Sequence, residues 1–171
     1  MNIRIQLSLF VPAHQRDLVE SVRRLLDPVQ ASLIPAHVTL CREDELVNLT
    51  SIELAARLGA TEATPLKLVF GAPEVFQGHG VLLPCVGGAA EFQRLRRWVL
   101  GNISARSHPP HITLAHPRNP KADGNTPGNL DSLSSELEIT FFEVSRIQQK
   151  AGLAWQVLEQ FALGGAPHSD A

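Results

Sequence analysis

Two stretches of this chain set the same side chains at the same spacing: His37-Val38-Thr39-Leu40 and His111-Ile112-Thr113-Leu114. Histidine changes charge near neutral pH, with an unperturbed pKa of about 6.5, so it can accept or release a proton during a reaction. A threonine hydroxyl can donate a hydrogen bond to an anion. Side chains alternate along a strand with a period of two. On a strand, the His and Thr of each copy therefore share one face, while Val38/Leu40 and Ile112/Leu114 point to the other. If the two strands lie side by side, two imidazoles and two hydroxyls converge on one small volume. That set suits the cleavage of a phosphodiester. One imidazole removes a proton from the attacking oxygen and the other gives one to the leaving oxygen. The hydroxyls of Thr39 and Thr113 hold the non-bridging oxygens and stabilise the charge that builds there. Such a site requires no metal and no other cofactor.

The copies stand 111 − 37 = 74 residues apart in a chain of 171, close to half its length. Each follows a proline, Pro35 or Pro110, by one or two residues. The length suits one domain built from two similar lobes. With 44% hydrophobic and 19% charged residues the composition is globular. No apolar run approaches the roughly 20 residues that span a bilayer. The first nine residues alternate, which predicts a strand and not the core of a signal peptide. Cys41 and Cys85 are too few for a disulfide framework and read as free thiols of a cytoplasmic protein. The formal net charge of −2 argues against a long nucleic-acid groove, which needs a basic bias, but leaves room for a few phosphate contacts. The expected partner is a small nucleotide or an RNA end, met by a monomer away from any membrane.

The elements that position the two motifs follow from periodicity. Residues 3–10 alternate as a strand. Residues 14–26 carry Leu18, Val19, Val22, Leu25 and Leu26 on one helical stripe, which Asp27-Pro28 ends. The first motif follows as a short strand. Thr50-Ser51-Ile52-Glu53 is a capping box that opens a helix ending near Gly59. Residues 66–70 alternate again. Residues 80–86 predict a strand in which Pro84 marks an edge or an end. Residues 89–100 predict a helix with Phe92, Leu95, Trp98 and Val99 facing inward. The second motif follows that helix as the first follows the first. Residues 117–130 read as a surface loop, and two long strands, about 137–148 and 154–163, close the chain. The fold class expected is α+β, with antiparallel strands in the middle and helices outside. One domain is expected over residues 1–163, with 164–171 as a flexible tail.

The paired His-x-Thr motifs, each with an aliphatic x and a following Leu, resemble those of the two-histidine phosphoesterase superfamily. Within it the chain looks most like the bacterial group called 2'-5' RNA ligase-like, relatives of RNA 2',3'-cyclic phosphodiesterases. Pro110-His111-Ile112-Thr113-Leu114 is similar to that group's second motif and Pro35-Ala36-His37-Val38-Thr39-Leu40 to its first. Leu7-Ser8-Leu9-Phe10-Val11-Pro12 is similar to its first strand running into its first helix. The resemblance implies two pseudo-symmetric lobes with an active-site cleft between them. It also implies hydrolysis of 2',3'-cyclic phosphates to 2'-phosphomonoesters. Carried over by motif position, His37 would protonate the leaving oxygen, His111 would activate water, and Thr39 and Thr113 would bind the phosphate. The near-symmetry of the copies leaves the acid and base assignments exchangeable. Arg42 and His116 stand five residues after His37 and His111, so symmetry puts both near the cleft mouth. Arg106 and Arg118 flank the second motif, and the four together are the candidates for substrate contacts.

Other residues have plainer readings. His108, His111 and His116 are spaced by three and five, so on a continuous strand His108 and His116 would face away from His111, and a metal site is not expected. His108 reads as a loop residue before the strand, His79 as a turn residue, His14 as a helix start and His168 as part of the tail. Arg94, Arg96 and Arg97 read as a solvated helical face, and Trp98 as core. Cys41 shares the face of His37 and Thr39 by parity and reads as a small packing residue. The competing function is a non-catalytic module that grips a phosphate, nucleotide or RNA end with the same four side chains. A third reading is an interaction protein in which the motifs are vestigial.

Overall fold

The computed structural model describes residues 3–60, 64–76, 80–101, 105–116, 130–133 and 135–164. The expectations for Arg118, His79 and His168, for the loop over 117–129 and for the tail over 165–171 fall outside the described residues. The strands are β1 (Ile3–Phe10), β2 (His37–Cys41), β3 (Leu66–Phe70), β4 (Glu74–Phe76), β5 (Gly80–Gly87), β6 (His111–Ala115), β7 (Leu137–Phe141), β8 (Glu143–Lys150) and β9 (Gln156–Ala162). The helices are α1 (Ala13–Leu26), α2 (Pro28–Leu33), α3 (Ser51–Gly59) and α4 (Ala89–Leu100). Among the described residues every strand pair is antiparallel, in the order β7-β3-β5-β6-β2-β1-β8-β9, with β4 on β5. The α+β class with antiparallel strands in the middle is thus what the chain adopts. Among the described residues no helix is long and apolar enough to cross a membrane.

The sheet divides into two matching halves at its centre, where β2 meets β6. On one side β1-α1-β2 leads to the first motif, and on the other β5-α4-β6 leads to the second. Leu9 pairs with Val38 and Leu83 with Ile112; Phe10 pairs with His37 and Pro84 with His111. In each half the register then slips by one residue. Leu7 pairs with Cys41 after Ser8 pairs with Thr39, and Val81 pairs with Ala115 after Leu82 pairs with Thr113. The extra residue is Leu40 in one motif strand and Leu114 in the other. A bulge disrupts regular pairing and turns the chain, so both motif strands bend directly after their threonine.

Several local readings change in the fold. Asp27-Pro28 ends α1 but at once starts α2, because the Asp27 carboxylate accepts from the Gln30 N–H and proline fits the first turn. The single strand expected over 137–148 is broken at Phe142. Its first part, β7, pairs with β3 in one half, and its second part, β8, pairs with β1 in the other. Continuous alternation hid that crossover. Pro84 lies in an interior strand and not at an edge. Its carbonyl accepts from Gly71 N–H at 2.9 Å just beyond the end of β3, so its missing N–H removes one bond where pairing is already ending. Leu18, Leu25 and Trp98 are exposed, while Glu20, Arg23 and Arg96 are buried in their place.

Those buried charges tie the halves together. Helix α1 packs on β6, and α4 packs on β2 and β3, so each helix runs beneath the opposite half's motif strand. Arg23 of α1 donates through Nε to the Thr113 carbonyl at 3.2 Å and through Nη1 to the Ile34 carbonyl at 2.9 Å. Its charge is met by Glu20 at 2.9 Å, and Glu20 in turn accepts from the Ala36 N–H just before the first motif. Arg96 of α4 donates to the Leu40 carbonyl at the bulge of β2, to Glu45 at 2.5 Å and to the Arg106 carbonyl at 3.3 Å. Carboxylates complete each side: Glu45 accepts from the Arg42 N–H and Asp27 from the His116 N–H, both at 2.9 Å. The two arginines are crossed ties, each reaching from one half to the strand of the other.

Removing one member of a buried ion pair strands its partner and costs roughly 3–5 kcal/mol. Arg96→Ala is expected to lose stability on that scale in urea unfolding. A loss below about 1 kcal/mol, the range of exposed pairs, would show that the tie does not hold the halves.

Candidate active site

The geometry of the site follows from one register pair, Val38 with Ile112 across the antiparallel strands β2 and β6. Moving one residue along each strand sets His37 opposite Thr113 and Thr39 opposite His111. All four stand on one face and are half-buried. Residues directly opposite have Cβ atoms about 4.5–5.5 Å apart, and diagonal neighbours about 7–8 Å. The imidazoles therefore occupy one diagonal of a four-cornered array and the hydroxyls the other. An anion at the centre would be flanked by a ring on each of two opposite sides. Among the described residues neither hydroxyl is engaged by another group.

Backbone carbonyls fix both rings. His37 Nδ1 lies 2.9 Å from the Pro35 carbonyl, and His111 Nδ1 lies 3.0 Å from the Pro109 carbonyl. A carbonyl only accepts, so in each ring Nδ1 carries the hydrogen. The neutral ring then presents an unprotonated Nε2. The acceptor is the proline two residues before the histidine in both halves, so Pro109 and not Pro110 is the equivalent of Pro35. Phe10 adds an edge-on contact to His37, with centroids 6.1 Å apart and planes at 62°.

The surroundings also set protonation. Burial pushes the His37 pKa down to about 4; the nearby charges of Arg23 and His111 act the same way, while the Pro35 carbonyl acts against them. His37 is neutral in the unliganded protein across the physiological range. The influence of His111 on this value reflects the closeness that the register gives.

A third imidazole joins the site. His108 precedes β6 as a loop residue, as expected, but its ring does not face away: its centroid is 5.9 Å from that of His111 and 6.3 Å from Phe92. The strand begins only at His111, so the alternation of faces does not extend back to His108. Burial, followed by the charges of Arg96 and His111, pushes the His108 pKa down to about 4. Its Nε2 is buried with no hydrogen-bond partner among the described residues. No three His, Cys, Asp or Glu side chains among the described residues are arranged to hold a metal ion.

The remaining candidates are placed unequally. Arg42 and Arg106 are both exposed and share one carboxylate, Asp44, at 3.5 and 3.0 Å. His116 is half-buried, and its backbone is held by Asp27. Cys41 does not share the face of His37: the bulge at Leu40 pairs it with Leu7, toward the core. Burial pushes its thiol up to about 12, so it is a packing residue and no nucleophile. Arg94 is solvated, paired with Glu91 at 2.9 Å, and Arg97 is exposed, but Arg96 is wholly buried. Sequence reasoning missed Arg23, Arg96, Glu20, Asp27 and Glu45. The signal was present in part: Arg96 falls on the stripe of Phe92, Leu95 and Val99, and Arg23 on that of Val19, Val22 and Leu26.

This sheet of two matching halves is a fold that the chain shares with E. coli LigT and other solved structures. The crystal structure of E. coli LigT complexed with 3'-AMP superposes with a TM-score of 0.63 at 18% identity, covering 96% of this chain and 100% of that one. E. coli LigT complexed with phosphate gives 0.56 at 17% identity, covering 95% and 98%. TT0787 of Thermus thermophilus gives 0.61 at 18%, also covering 95% and 98%. No protein-family model and no curated protein matches the chain.

The His37 and His108 values fix a sign for pH dependence. Their folded pKa values, about 4, lie below the unfolded value of about 6.5. The unfolded chain therefore binds more protons within that window, and stability falls as pH drops through it. In a proton NMR titration the His37 ring is expected to show a midpoint near 4, moving upward when inorganic phosphate is added. A midpoint close to that of free histidine would refute the burial argument.

Proposed function

We propose that this protein hydrolyses 2',3'-cyclic phosphates, on RNA ends or on nucleotides, to 2'-phosphomonoesters, without a metal. The observation that carries the reading is the diagonal array: two rings with free Nε2 atoms on opposite sides of one anion-sized space, and two unengaged hydroxyls on the other diagonal. Thr39 and Thr113 would hold the non-bridging oxygens. One neutral imidazole would take a proton from water as its oxygen attacks phosphorus. The other, protonated, would give a proton to O3' as the P–O3' bond breaks. The net charge of −2 favours a nucleotide or a short end, met in the cytoplasm, over a long polymer. LigT complexed with phosphate and with 3'-AMP is consistent with ligands of that size on this fold.

The lowered pKa of His37 bears on the roles. At a pKa of about 4, only about one molecule in a thousand would carry the proton at pH 7. That favours His37 as the base and His111 as the acid, the reverse of what the family resemblance implies. Under this assignment the acidic limb of kcat/KM reports the base of the free enzyme, and it is expected near pH 4.

His37→Ala and His111→Ala are each expected to abolish nearly all release of 2'-phosphate from cyclic nucleotides while the proteins stay folded. Thr39→Ala and Thr113→Ala should lose on the order of tenfold to a thousandfold, as for a single positioned donor. Activity should withstand a chelator. Full turnover in either histidine variant rejects the mechanism, and tight binding of a 2'-phosphate with no turnover by the native protein would leave the non-catalytic module.

A further inference from the structure

The array's surroundings are not symmetric. On the β1 side Phe10, half-buried, stands edge-on to His37, and Ser8, beside Thr39, is wholly buried. The equivalent positions on the β5 side are Pro84, beside His111, and Leu82, beside Thr113, and both are half-buried, so Leu82 is open where Ser8 is not. Over them opens a cavity of about 450 Å³ that His111 and Thr113 also line. That volume is within the range of small-molecule sites. Its walls are mainly apolar, with Leu82, Pro84 and Pro110 among them.

One carboxylate stands at the far side of this cavity. Glu74 of β4 pairs with Leu82, which pairs with Thr113, so the three lie in one row across the sheet on the face of the array. Two strand spacings, roughly 10 Å, separate Glu74 from Thr113. That is comparable to the span of a nucleotide from its phosphate to the far edge of its base. Glu74 is exposed, and among the described residues its carboxylate has no hydrogen bond or ion pair. An ionised carboxylate is an acceptor only, with two oxygens side by side. Of the four bases only guanine presents two adjacent donors on its pairing edge, N1–H and the N2 amino group. Adenine offers one donor beside an acceptor, and cytosine and uracil one donor each beside acceptors.

We infer that the cavity over β5 receives the nucleobase and that Glu74 selects guanine, so that the preferred substrate is a guanosine 2',3'-cyclic phosphate, free or at an RNA end. The inference rests on the array holding the phosphate of a nucleotide, as proposed above. Leu82, Pro84 and Pro110 give the base an apolar bed, and Glu74 reads its edge.

Calorimetric binding of the four nucleoside 2'-monophosphates tests this without requiring turnover. The native protein is expected to bind 2'-GMP about tenfold to a hundredfold more tightly than the other three, the discrimination of one good bidentate contact. Glu74→Gln, which replaces one acceptor by a donor, is expected to remove that preference and leave the other three affinities unchanged. Equal affinities in the native protein, or a guanine preference that survives Glu74→Gln, would overturn the assignment. Turnover of the four cyclic nucleotides is read separately. A guanine preference without turnover sinks the hydrolytic reading and keeps the base site; turnover with no preference does the reverse.

Discussion

Two buried guanidinium groups hold this protein's working strands in place. At the seam the backbone register records a single residue pair, Val38 with Ile112, and both strands bulge immediately after their threonine. A junction so short has little ladder bonding of its own. Arg23 and Arg96 supply what the ladder lacks: each rises from a helix of one half and grips a carbonyl of the other half's motif strand. A buried cation is tolerated only when paired and hydrogen-bonded. Glu20 and Glu45 provide that pairing, and the carboxylates of Glu20, Glu45 and Asp27 also take up the N–H groups of Ala36, Arg42 and His116. The array of two rings and two hydroxyls is thus fixed from beneath, by charge, and not by the sheet alone.

The same seam explains why near-identical motifs need not behave identically. Both rings are oriented by a proline carbonyl two residues upstream, so the tautomer is set the same way twice. What differs is the neighbourhood. His37 is backed by Phe10 and lies near the charge of Arg23, and burial keeps it neutral. His111 faces the open cavity over β5 and has His108 beside it. The halves of the fold, not the motifs, thus give the two rings different surroundings. Under the function proposed above, this asymmetry would give a ligand a direction, with phosphate at the seam and the remainder over Leu82 and Pro84.

Much of the framework was legible along the chain because it rests on local rules. Alternation marked β1 and β3, a capping box marked the start of α3, and a helical stripe marked α4. Local rules failed where a residue's partner lies far away in sequence. Phe142 does not look like a break between strands, yet β7 and β8 must separate there because they join opposite halves. Arg96 looks solvated beside Arg94 and Arg97, and only a carboxylate 51 residues away makes its burial tolerable.

The sequence by itself determined that two His-x-Thr strands exist, that each offers its ring and hydroxyl to one face, and that each follows a helix. Those properties depend on strand periodicity and on residue types within a few positions. Tertiary structure alone decided that the strands meet antiparallel in the one register that sets like side chains on opposite corners. It also decided that a one-residue bulge turns Cys41 inward, and that His108 swings toward His111. These depend on contacts between residues far apart in the chain, where a slip of one position would exchange the two faces of a strand and dissolve the site.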